Sequence, residues 1–151
     1  MTTSTYIPLG TTTLSSATKS VTFSNIDQNY GDLMIVVVGT VETANATFMI
    51  PNGDTSSLSY LRMYGTGSAV AMSESRLGMD DSDSSLIWEW FDYSATDKHK
   101  NFLVRADSPD NQVGYLGGKW ANSSAITSLE IYHNVDNFKA GTKFSVWGIA
   151  K

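Results

Sequence analysis

Short stretches of alternating apolar and polar residues recur along the chain, separated by clusters of Gly, Asn, Asp and Ser. No apolar stripe with helical spacing persists for three turns, so the pattern predicts an all-β chain. In residues 20–23, Val21 and Phe23 alternate with Ser20 and Thr22, which places both apolar side chains on one core-facing side. Leu33, Met34, Ile35, Val36, Val37 and Val38 leave no polar face, predicting a strand within 32–42 that is covered on both sides. Residues 47–50 lead into Pro51-Asn52-Gly53-Asp54, whose Asn-Gly pair suits positive φ and predicts a hairpin-like reversal. Residues 59–64 alternate, 70–77 are weakly patterned, and the polar loop 80–85 precedes an aromatic strand at 86–93. Further strands are expected at 11–14, 102–106, 112–120, 128–133 and 142–149. Such spacing predicts a single antiparallel β-sandwich, jelly-roll-like, of about eight to ten strands.

The 151 residues suit one domain, read as an N-terminal extended arm over residues 1–10 and a sandwich over residues 11–151. Tyr6, Ile7 and Leu9, grouped around Pro8, are the apolar anchors of that arm. Charged residues make up only 17% of the chain, so Ser, Thr, Asn and Gly must cover much of the surface. Ten basic and fifteen acidic residues give a net charge of -5, a field that repels phosphate and disfavours nucleic acid as a partner. The longest apolar run, 33–38, is far below the roughly 18 to 20 residues of a membrane helix, so no membrane partner is expected. Residues 1–8 carry neither the basic patch nor the apolar segment of a secretory leader. The absence of cysteine excludes disulfides, thiolate metal sites and a cysteine nucleophile.

Catalytic chemistry has few candidates. Serine nucleophiles need a base and a group that orients it, yet the two histidines, His99 and His133, stand in no motif, and no G-x-S-x-G elbow occurs. Glu89, between Trp88 and Trp90, is the best candidate for a carboxyl in an apolar setting, but alternation turns it away from both tryptophans and no second carboxylate is identified. Asp80, Asp81 and Asp83 offer oxygen ligands without the glycine and distal glutamate of an EF-hand, and read as a solvated acidic loop. Gly117-Gly118-Lys119 and Gly65-Thr66-Gly67-Ser68 lack phosphate-loop spacing. No catalytic residue, cofactor or metal is therefore assigned, and the chain is not read as an enzyme.

Assembly has more support. Residues 33–38, 86–93 and 144–149 are apolar or aromatic on both faces, whereas a two-layer sandwich covers only one face of each sheet. Some outer faces should then meet a partner, and Tyr6, Ile7, Leu9, Trp88, Trp90 and Trp147 are the candidate subunit or capsid contacts. If exposed, Trp88 and Trp120 would instead offer stacking platforms for a glycan.

Three stretches add a resemblance. Ser20-Val21-Thr22-Phe23-Ser24-Asn25-Ile26 with Tyr30-Gly31-Asp32-Leu33, then Pro51-Asn52-Gly53-Asp54 running to Ser59-Tyr60, resemble a β-sandwich family of tailed-bacteriophage virion proteins. Trp120 with 125–129, and the ending 138–149 closed by Trp147-Gly148-Ile149, are similar to that family's C-terminal half. The family includes capsid decoration (cement) and tail-fibre proteins. The resemblance implies a non-catalytic virion structural protein that assembles as a homotrimer. Its partners would be itself and the major capsid protein, on the outer surface of the capsid after assembly in the host cytoplasm. The alternative it leaves open is a receptor-binding module at a tail-fibre or spike tip, with host glycan held by Trp88, Trp120 and the loops 80–85, 107–111 and 122–124.

Overall fold

The computed structural model describes residues 4–65, 70–73, 78–79, 82–108 and 112–151. Among these the chain forms twelve strands: β1 (Tyr6–Thr13), β2 (Ser20–Ser24), β3 (Asp32–Gly39), β4 (Asn45–Pro51), β5 (Leu58–Gly65), β6 (Val70–Ser73), β7 (Gly78–Met79), β8 (Ser84–Trp90), β9 (Lys100–Ser108), β10 (Gln112–Trp120), β11 (Ser128–His133) and β12 (Lys143–Ile149). They build an eight-stranded sheet, β1-β12-β3-β8-β9-β10-β5-β6, and a four-stranded sheet, β2-β11-β4-β7. Every pairing is antiparallel.

The pairs β1·β12, β2·β11, β3·β8 and β4·β7 are nested, each inside the previous one along the chain, and they alternate between the two sheets. This is a long antiparallel ribbon rolled into two layers, the plan of a jelly roll. Two insertions enlarge it: β5 and β6 between β4 and β7, and β9 and β10 between β8 and β11. All four join the same edge of the first sheet, beyond β8.

Alternation decides what lies between the layers. Along β8, Leu86, Trp88 and Trp90 are buried while Ile87 and Glu89 point the other way. Leu33, Ile35 and Val37 of β3, Phe144 and Val146 of β12, and Leu129 and Ile131 of β11 complete the interior. Trp90 stacks 4.6 Å from Phe102 and donates its indole N–H to the Met49 sulfur at 3.0 Å. Each large side chain so buried contributes about 1.5–3 kcal/mol through lost water contact.

The expected boundaries change at three places. Residues 6–10, expected as an extended arm, are extended but already paired as β1 against β12, with a bulge between Pro8 and Gly10 that turns Leu9 into the core. The strand expected at 32–42 ends at Gly39, whose φ of 146° breaks the ladder, and the aromatic strand expected at 86–93 ends at Trp90, before a turn with Asp92 at φ 52°. Pro51–Asp54 does reverse the chain, closed by an Asp54 N–H to Pro51 carbonyl bond at 2.9 Å. It is not a hairpin, because β4 and β5 belong to different sheets and the turn carries the chain across the sandwich. Residues 66–69 and 74–77 of the weakly patterned stretch and its neighbouring glycines lie outside the described residues.

Candidate functional site

The outer face of the eight-stranded sheet is the most unusual surface of the molecule. Register aligns two rows of outward positions across seven strands. The first runs Pro8, Trp147, Met34, Glu89, Leu103, Gly117, Leu61. The second runs Thr11, Ser145, Val36, Ile87, Arg105, Tyr115, Met63. Leu103 is 49%, Leu61 54%, Met63 47% and Tyr115 50% exposed, and Val38 and Tyr6 on the adjoining rows are similarly open. These account for six of the eight large apolar side chains most exposed among the described residues, the others being Phe91 and Val135. Apolar side chains that share one face form a patch of the kind a monomer seldom shows to water.

One ion pair interrupts the apolar rows. Arg105 Nη2 lies 3.3 Å from Glu89 Oε1, diagonally across β8 and β9. Beside it a groove of about 700 Å³ is lined by Leu61, Met63, Leu103, Tyr115 and Gly117 as well as the pair itself. Gly117 opens this groove because it places no side chain between Leu103 and Leu61. The rows on either side carry more polar residues, Thr13, Lys143, Ser85 and Asp107 beside Val38 on one and Asp32, Asn101, Lys119 and Ser59 beside Tyr6 and Ile149 on the other. An apolar centre with a polar margin is the anatomy of a protein–protein contact.

The predicted contact residues divide. Tyr6 and Trp147 sit on this outer face, Trp147 half-buried beside Pro8 and Met34. Ile7 pairs with Gly148 on the inward side, and Leu9 packs against the core. Trp88 and Trp90, expected as contacts, instead fill the space between the sheets, facing away from the outer surface. Trp120, expected as a glycan platform together with Trp88, is also fully buried, so neither ring offers a face to a sugar. The sequence misses Leu61, Met63, Leu103 and Tyr115, although the alternation of 59–64 and 102–106 already separates the first three from Tyr60, Phe102 and Val104. Of the proposed glycan loops, Asp80, Asp81 and residues 109–111 lie outside the described residues.

The catalytic candidates resolve structurally. His133 is buried, its Nδ1 3.3 Å from the Thr47 hydroxyl and its Nε2 3.0 Å from the Thr43 carbonyl and 3.4 Å from Asp136 Oδ1. This has the order of a hydroxyl, base and carboxylate triad, but the hydroxyl and the base lie in the interior, Thr47 being 2% exposed. His99 is exposed. Glu89 faces outward and pairs with Arg105 instead of a second carboxylate. Buried Lys100 donates to the carbonyls of Lys98 and Ser123, both at 2.8 Å, and burial pushes its amine below the usual lysine range. Its role is to tie two loops together over Trp120. Among the described residues no three His, Asp or Glu side chains converge as a metal site, and no helix is long and apolar enough to cross a membrane.

The motif residues also serve the fold. Asn52 Oδ1 accepts from the backbone N–H of Thr127 and Ser128, and its Nδ2 donates to the Ala125 carbonyl. Asp54 accepts from the Trp120 indole at 2.9 Å and from the N–H groups of Ser56 and Ser57. Searches against protein-family models, curated proteins and solved structures find no match to this chain.

Proposed function

We propose that this chain is a structural protein of a bacteriophage virion, a homotrimeric capsid decoration protein that bridges capsid subunits and stabilises the head shell. The observation that carries the reading is the double apolar row across the outer face of the eight-stranded sheet. Such a face suits a subunit that is covered in use, while an interior filled by apolar side chains suits a passive building block. The jelly-roll plan with antiparallel layers fits the same role, because it gives a rigid body whose sheet faces and loops can meet different neighbours. The glycan-reading alternative loses its aromatic platforms with the burial of Trp88 and Trp120.

Electron microscopy of intact particles carrying a tagged copy tests this directly. The expected image has tag density at regularly repeated sites on the head, and heads stripped of the protein rupture at lower temperature than complete ones. Density confined to the tail overturns the capsid assignment, and particles without the protein overturn the virion reading.

A further inference from the structure

Resting on the assembly reading, the question becomes what covers the outer face of the eight-stranded sheet. We infer that it is a second copy of this chain: like faces pack together, and Arg105 of one copy meets Glu89 of the next.

Charge supplies the first argument. The chain carries -5 overall, so copies brought together at random repel. The outer face is the exception. Across its four rows Asp32, Glu89 and Asp107 are matched by Lys119, Arg105 and Lys143, so the face is neutral while the remainder of the chain holds the surplus acid. A partner rich in either sign gains nothing there, whereas an identical face meets no net repulsion.

The arrangement of those charges supplies the second. Glu89 and Arg105 form a side-by-side dipole at the middle of the apolar rows, half-buried and half-exposed respectively. A dipole directed around a rotation axis is complementary to its own rotated copy, because each cation then comes to lie beside the next copy's anion. About a threefold axis the result is a closed ring in which every arginine has one glutamate from its own chain and one from its neighbour. The pair is then desolvated without leaving either charge alone, the condition under which ion pairs at an interface are tolerated.

Size supplies the third. Seven strands spaced roughly 4.8 Å apart, with four outward rows separated by two residues each, give a face of roughly 800 Å². That is about what one partner contributes to a standard stable interface, here shared between the two neighbours of the ring. The dent at Gly117 gives the facing rows room to interdigitate.

The test is charge exchange in the purified 151-residue chain. The wild type is expected to associate at micromolar concentration in light scattering. Glu89→Arg and Arg105→Glu, each removing every favourable charge contact between copies, should weaken association at least tenfold while keeping the wild-type circular dichroism spectrum, since a surface pair contributes little to the fold. Mixing the two variants should restore association as pairs of one each, because a doubly basic face then meets a doubly acidic one. Three such members cannot alternate around a ring, so the mixture should stop at pairs. Leu61→Ser with Leu103→Ser, both at exposed positions, should also give a folded monomer. A wild type that stays monomeric at 100 times that concentration overturns the inference. So do single variants that associate like wild type, a mixture that remains monomeric, or a monomer that binds isolated heads through this face. Association without density on the virion overturns the virion reading and leaves this one standing.

Discussion

The ring of Tyr30 lies directly over the α-carbon of Gly148, so that a β-carbon at position 148 would come within 2.5 Å of Cγ and Cδ2 of the ring. The neighbouring Gly31 N–H donates to the Ile149 carbonyl at 2.9 Å. Two segments far apart in sequence, Tyr30-Gly31-Asp32 and Trp147-Gly148-Ile149, thus close on each other where the chain enters β3 and leaves β12. Gly148→Ala should cost about 1–3 kcal/mol through overpacking, read from urea unfolding. In a Tyr30→Ala background the same substitution should cost little, and a penalty that persists there would mean that the ring is not what the methyl group meets.

Asp54 gives a pH signature. The Trp120 indole N–H, followed by the donors of Ser56 and Ser57, holds the Asp54 carboxyl well below the usual carboxylate range. A depressed folded value means stability that is fully present above the unfolded value of about 3.9 and is lost as pH falls below it. The melting temperature of Asp54→Asn should therefore lie below that of wild type at pH 7, and the gap should narrow as the pH is taken from 5 towards 2. A gap independent of pH would show that the carboxylate charge is not what matters.

Much of the architecture is legible in the residue pattern, and the failures share a cause. Val21 and Phe23 are packed against the core, and the doubly apolar run 33–38 lies in β3, inside the eight-stranded sheet with its outward residues on the apolar rows. The sense of Glu89, opposite to its flanking tryptophans, follows from alternation alone. What alternation cannot supply is which of the two faces is inner. Trp88 and Trp90 belong to the inner one, so the exposed apolar surface of the outer one is made of residues of less conspicuous type, Leu61, Leu103 and Tyr115. Nor does pattern reveal that Asn52 and Asp54, adjacent to one turn glycine, reach the loop before β11 and the end of β10, since those contacts span 73 and 66 residues.

Tryptophan emission separates the two faces. Trp88, Trp90 and Trp120 are shielded between the layers, whereas Trp147 is half-buried on the outer face. Acrylamide should quench a minor, red-shifted component of the emission, and Trp147→Phe should remove most of it. Quenching should increase on dilution, as copies that cover Trp147 separate. Strong quenching that survives Trp147→Phe would place a second tryptophan at the surface.

Asn52 combines two effects that substitution can part. Its backbone is left-handed, at φ 51°, and its side chain bonds to residues 125 and 127 of the loop before β11 and to Ser128 at the start of that strand. Asn52→Gly removes the side-chain bonds while keeping the backbone at ease, and should cost about 1–3 kcal/mol, the net worth of two or three hydrogen bonds. Asn52→Ala loses the same bonds and also bears the steric cost of a β-carbon in a left-handed turn, so it should be about 1 kcal/mol less stable again. Chemical denaturation of the two variants side by side measures the difference. Equal stabilities would mean that the turn relaxes out of its left-handed geometry once the side chain no longer holds it to the neighbouring loop.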